Sequence, residues 1–161
     1  SRVYTENYLL GNNASGNIFN IYLCEHEAEL SSRVYCKARY NKSLVLSKGI
    51  VSGNGKVLFE GYAKIDQHAD DADIFVGEHA IVMNKGAKAN LVPNLEIENN
   101  NVKAGHAASV QQFDDEKLFY MQSRGLEENE AKKLLIDGFL DSLIEKMDFS
   151  MQEEIRKRLR I

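Results

Sequence analysis

Ser43-Leu44-Val45-Leu46-Ser47-Lys48-Gly49-Ile50-Val51, then Ser52-Gly53-Asn54-Gly55, then Lys56-Val57-Leu58-Phe59-Glu60-Gly61-Tyr62-Ala63-Lys64, sets the pattern of the first two thirds of the chain. Two alternating, β-branched and aromatic runs flank a turn in which glycine or asparagine supplies positive φ. Neither run is long enough, or has the period, to be an amphipathic helix.

Working outward, runs of the same kind recur at Ile18–Cys24, Arg33–Arg39, Asp73–Val76, Ala80–Met83 and Asn94–Ile97, with a second turn signal at Asn84-Lys85-Gly86. No helix-length periodic run interrupts them, which argues against βαβ units. The short, irregular spacing predicts successive rungs of a β-solenoid, with a sandwich as the alternative. A solenoid buries its core by stacking rungs, so its open end needs a cap or a partner.

The pattern changes near Gln112, predicting β rungs over residues 1–112 and a helical region over 113–161. Asp114 reads as the N-cap of a helix over Asp115–Arg124, with Gly125 as its left-handed C′ residue. Glu128–Met147 carries Leu135, Ile136, Phe139, Leu140, Leu143, Ile144 and Met147 on one broad stripe. That is more apolar face than a helical hairpin buries alone. Ser150 and Glu153 form a capping box for a last helix bearing Met151, Ile155 and Leu159 on one face. Arg156, Lys157, Arg158 and Arg160 then complement its dipole.

Composition bounds the function. Hydrophobic residues make up 43% and charged residues 27% of the 161, a globular balance, and the net charge of −4 gives no drive toward nucleic acid or anionic membrane. No window approaches the roughly 20 apolar residues that span a bilayer. No signal-peptide pattern opens the chain, and it begins with Ser1, so it reads as a piece of a longer protein or a short homologue. Cys24 and Cys36, with no CxxC, read as reduced, half-buried thiols of a cytoplasmic protein. There is no P-loop, dinucleotide fingerprint or nucleophile elbow.

One ordered series is more specific. Pro93-Asn94-Leu95-Glu96-Ile97 is followed by Val102-Lys103-Ala104-Gly105-His106-Ala107-Ala108-Ser109-Val110, by Leu118-Phe119-Tyr120-Met121-Gln122-Ser123-Arg124-Gly125-Leu126, and by Glu130-Ala131-Lys132-Lys133-Leu134-Leu135-Ile136-Asp137-Gly138-Phe139. Residues 93–139 thereby resemble, without a gap, the C-terminal signature of the SufB/SufD family of iron–sulfur cluster assembly proteins. Residues 61–92 resemble it more loosely, and residues 1–60 add only a compatible β pattern.

The resemblance implies a right-handed parallel β-helix followed by a small helical region. It also implies a non-catalytic scaffold subunit of a SUF-type complex, with a SufC-type ATPase and a SufB/SufD-like chain as partners, in a homo- or heterodimer. No tightly bound cofactor is implied, at most a transient iron–sulfur cluster. His106 matches the family histidine at the cluster-assembly interface, and a neutral imidazole can ligate iron. Leu118, Phe119, Tyr120, Arg124 and Gly125 fall in the implied ATPase-docking segment, and strands around Glu96–Ala104 are expected to form a dimer edge. The chain departs from the family in its thiols. Ala104 stands where SufD-type sequences often carry cysteine, and Glu78 where the SufB branch does, which favours a SufD-like role.

Other readings stay open. Cys24 and His26, two apart in a predicted strand, could form half of a metal site, though two ligands are too few. Asp66, His68, Asp70, Asp71 and Asp73 form an acidic cluster without EF-hand spacing, read as a solvated turn. A solenoid interaction module without cluster chemistry, or a carbohydrate-active β-helix enzyme using a pair such as Asp70 and Asp73, are the competing functions.

Overall fold

Residues with inward side chains at every second position, in runs of 7 to 10, build eight strands in the computed structural model, which describes residues 1–159. They are β1 (Arg2–Leu9), β2 (Ile18–Cys24), β3 (Glu27–Cys36), β4 (Lys42–Val51), β5 (Lys56–Ile65), β6 (Asp73–Val82), β7 (Lys88–Ile97) and β8 (Lys103–Gln112). Odd strands form one sheet in the order β1-β3-β5-β7 and even strands another, β2-β4-β6-β8. Pairing is parallel, with Arg2 beside Glu29, Glu27 beside Lys56 and Lys56 beside Lys88, so each coil takes about 27 to 32 residues. The fold is a parallel β-solenoid of about four turns, as expected.

The corners are built as repeats. Asn13, Tyr40 and Asp71, all left-handed with φ near 60°, occupy one corner of successive coils. Asn13 N–H donates to the Arg39 carbonyl, Tyr40 to Asp70 and Asp71 to Asn101. At another corner Gly55 packs against the preceding coil so closely that a β-carbon there would lie 2.3 Å from the Cys24 carbonyl oxygen.

Three strand expectations change. Asp73–Val76 and Ala80–Met83 are one strand, β6, because Gly77 faces outward under Leu46 and Phe75 instead of breaking it. The strand expected at Arg33–Arg39 begins earlier, at Glu27, and ends at Cys36. The strand expected at Asn94–Ile97 begins earlier, at Lys88, and residues 98–102 form a corner before β8.

The chain divides into two compact units, Ser1–Gln111 and Gln112–Ile161. The second holds α1 (Asp115–Ser123), α2 (Glu128–Ile144) and α3 (Phe149–Leu159). Asp114 caps α1 by accepting from Lys117 N–H at 2.9 Å, and Gly125 follows with φ +95°. Leu126 and Gly125 N–H return to the Met121 and Gln122 carbonyls, a Schellman closure. Ser150 is not the cap of α3: the Asp148 carbonyl already accepts Gln152 N–H at 3.0 Å, which starts the helix two residues earlier. Arg156 does more than face a dipole, pairing with Asp141 on α2 at 2.8 Å. Arg160, expected in the same basic cluster, lies outside the described residues.

Inside the solenoid the apolar core is in two parts. Val34, Val45, Ala63, Ile65, Ile74 and Val76 belong to one cluster; Cys24, Val51, Val57, Val82 and Ala87 form the other. A polar level lies between them, and it follows from the alternation. Asn20, Ser47 and Glu78 are in register across β2, β4 and β6, and Ser32 and Gly61 are in register on the facing sheet.

Candidate functional sites

β8 places His106 by simple alternation. His79 Nδ1 and Ser109 Oγ are 2.8 Å apart on the outer face of the even sheet, whereas Ala104 packs on the apolar core. His106, two residues past Ala104, shares the inward face of the last coil, where it is exposed. Leu95 of β7 packs on the same core, and Ile97 beside it is 47% exposed. The site is therefore an imidazole on the rim of an apolar coil end. It has no thiol beside it. Cys36 lies in register with Ile65 and Ile97, two strands in from the rim of the odd sheet, and is fully buried.

The helical candidates divide sharply. Leu118 is buried, while Phe119 and Tyr120 are 73% and 58% exposed. Arg124 Nη2 donates to the Tyr120 hydroxyl at 3.1 Å and its guanidinium sits 5.4 Å from the ring centre, so an exposed aromatic and a cation form one preassembled pair. Gly125 turns the chain immediately after it.

The remaining candidates are explained by structure. His26 is not on a strand face with Cys24. β2 ends at Cys24, His26 lies in the bend that follows, and the Cys24 thiol donates to the His26 carbonyl at 3.1 Å. Around the acidic corner Asp66 pairs with Lys37 at 2.9 Å, and Asp70 pairs with Arg39 and accepts from Asn99 at 2.8 Å. Asp71 accepts from Asn101. Among the described residues no three His, Cys, Asp or Glu side chains come together as a metal site.

Glu78, noted above only as standing where the SufB branch carries cysteine, holds a position that sequence reasoning did not assign. The order Ile74, Val76, Glu78, Ala80, Val82 puts it on the apolar face of β6, a signal available from alternation alone. It is fully buried, and burial pushes its carboxyl up to about 7. The backbone N–H groups of Gly61 and Val92 oppose that rise, but neither completes a hydrogen bond of good geometry.

Residues 1–139 match the family model described as "SUF system FeS cluster assembly, SufBD core domain". The chain belongs to the SufBD family. It is 33% identical over 159 residues to an iron–sulfur cluster assembly SufBD family protein of Mycobacterium leprae, covering 92% of this chain and 40% of that protein. It is 32% identical over 126 residues to the iron–sulfur cluster assembly protein SufD of Escherichia coli, covering 78% of this chain and 29% of that one. A Galdieria sulphuraria SufBD family protein is 28% identical over 158 residues, 97% of this chain and 72% of its own length. The SufBD chain described here thus spans about two fifths of the mycobacterial relatives it matches. Among its described residues no helix is long and apolar enough to cross a membrane.

Proposed function

We propose that this SufBD chain is a non-catalytic scaffold subunit of a SUF-type iron–sulfur assembly complex, more SufD-like than SufB-like. Its last coil pairs with a SufB/SufD-like chain, and α1 docks a SufC-type ATPase. The observation that carries the reading is the exposed Phe119, Tyr120 and Arg124 group on α1, whose neighbour Leu118 is buried. Aromatic residues and arginine dominate binding energy where they become buried at interfaces. His106, exposed on the last coil, is the candidate group for meeting iron or a nascent cluster, which is the cargo of such a complex. With no thiolate beside it, this chain supplies a supporting ligand, and the partner supplies the sulfur ligands.

The test is co-expression of the chain with a SufC-type ATPase, then with a SufB-type chain as well, followed by size-exclusion chromatography. Co-elution with the ATPase supports the docking assignment, and separate elution at micromolar concentration overturns it. An interaction module without cluster chemistry would bind both partners yet show no change in cluster yield on His106→Ala.

A further inference from the structure

The Glu78 side chain occupies a place made for it. A β-carbon on Gly61 would lie 2.1 Å from Glu78 Oε1, so the facing strand β5 leaves out a side chain where the carboxyl arrives. The carboxyl sits between the two apolar clusters, at the level of Asn20, Ser32 and Ser47. Asn20 Nδ2 donates to Ser32 Oγ at 3.0 Å. Neither Glu78 oxygen has a hydrogen bond, and the same is true of the buried Ser47 and Tyr22 hydroxyls. An ionised carboxylate without a cation or a full set of donors is far more costly in such a place than the neutral acid.

The neighbours do not relieve the charge. From β2 the titratable group is Tyr22, held well above its ordinary value by burial and then by Glu78 itself. From β5 it is Glu60, whose charge further disfavours ionisation of Glu78. β4 presents neutral Ser47, and β7 presents the backbone of Val92. On β8 the His79–Ser109 pairing brings apolar Ala108 alongside.

We propose that Glu78 makes the solenoid core proton-linked, the folded stack of coils holding this side chain as the neutral acid. The unfolded chain ionises near the ordinary value of 4.5 and the folded one near 7. Between those values the folded state keeps a proton that the unfolded state has lost. The contribution of Glu78 to stability is therefore fully present below about 4.5, falls as pH rises to about 7, and is level above that. Near neutral pH this places the carboxyl in a range where small changes in proton activity alter how firmly the middle coils are held.

The test uses the full chain and two independent readings. The Glu78 carboxyl carbon is titrated by NMR in the wild-type protein, and equilibrium urea unfolding is followed from pH 5 to 8.5 for wild type and Glu78→Gln. The proposal expects a midpoint near 7 and a wild-type folding constant that falls on the order of a hundredfold across the window, at tenfold per unit. Glu78→Gln, close in shape and without charge, should flatten the fall and exceed the wild type above pH 7. A carboxyl that titrates at or below the ordinary value, or the same pH slope in both proteins, overturns the proposal. The NMR titration decides alone if the variant fails to fold.

Discussion

The ring of Tyr22 stands where a β-carbon of Gly49 would be: a methyl at that position would lie 1.9 Å from Cε2 and Cζ. The two residues are register partners on β2 and β4, so the strand pairing itself delivers the ring to the gap. Gly49→Ala is expected to destabilise the protein by roughly 1–3 kcal/mol or more, because a core residue must move to admit it. Combining it with Tyr22→Ala should cost less than the sum of the two changes. Urea unfolding of all four proteins measures that coupling, and strict additivity would show that ring and glycine do not share the space.

Removing only the Tyr22 hydroxyl has the opposite sign. That oxygen is buried without a hydrogen bond, so Tyr22→Phe removes an unpaired polar atom and keeps the ring that stacks on Phe59 at 6.1 Å. Stability should be unchanged or increased. A loss above about 1 kcal/mol in thermal unfolding would mean that the hydroxyl is hydrogen-bonded in solution.

Gly125 closes α1 with φ +95°, which an L side chain adopts only with strain. Gly125→Ala should cost about 1 kcal/mol. The effect belongs to the helical unit, so amide exchange should rise around Met121–Leu126 while the coils keep their protection.

The thiols should be silent in the native protein. Cys36 is completely buried, and burial, aided by the nearby Asp66 charge, raises its pKa to about 12. The Cys24 thiol is also buried and donates to backbone carbonyls. Mass spectrometry after iodoacetamide should find neither modified until denaturant is added. Rapid native modification of Cys36 would contradict the packing of β3 against β5.

Tyr120→Ala and Arg124→Ala separate folding from docking. Both side chains are exposed, so melting temperatures should stay close to wild type. Affinity for a SufC-type ATPase should fall at least tenfold, or about 1.4 kcal/mol. If affinity is unchanged in the folded variants, the docking assignment fails.

Much of the fold was legible because it is periodic. Alternation marked most of the strands, and Asp114 and Gly125 marked α1 from both sides. What was missed had local causes. β1 went unseen because Thr5 and Asn7 are polar on the face that meets Ser32 and Val34, which blurs the alternation. β6 was split because Gly77 and Glu78 together look like a turn in one dimension. His106 and α1 stood out through their ordered motif. Glu78 was named only for the cysteine it replaces.

The sequence alone determined the class of each segment: strand before Gln112, helix after it, and the helix ends around α1. Those properties depend on neighbours within a few residues, where side-chain period and backbone preference act directly. Only the tertiary structure decided which residues meet across coils. Tyr22 reaches Gly49, and Glu78 reaches Gly61 with Ser47 in register beside it, because coil length and corner hydrogen bonds set the parallel pairing. A single-residue slip would turn Glu78 outward to solvent and the core open, so packing of the whole stack, not any local preference, selects that register.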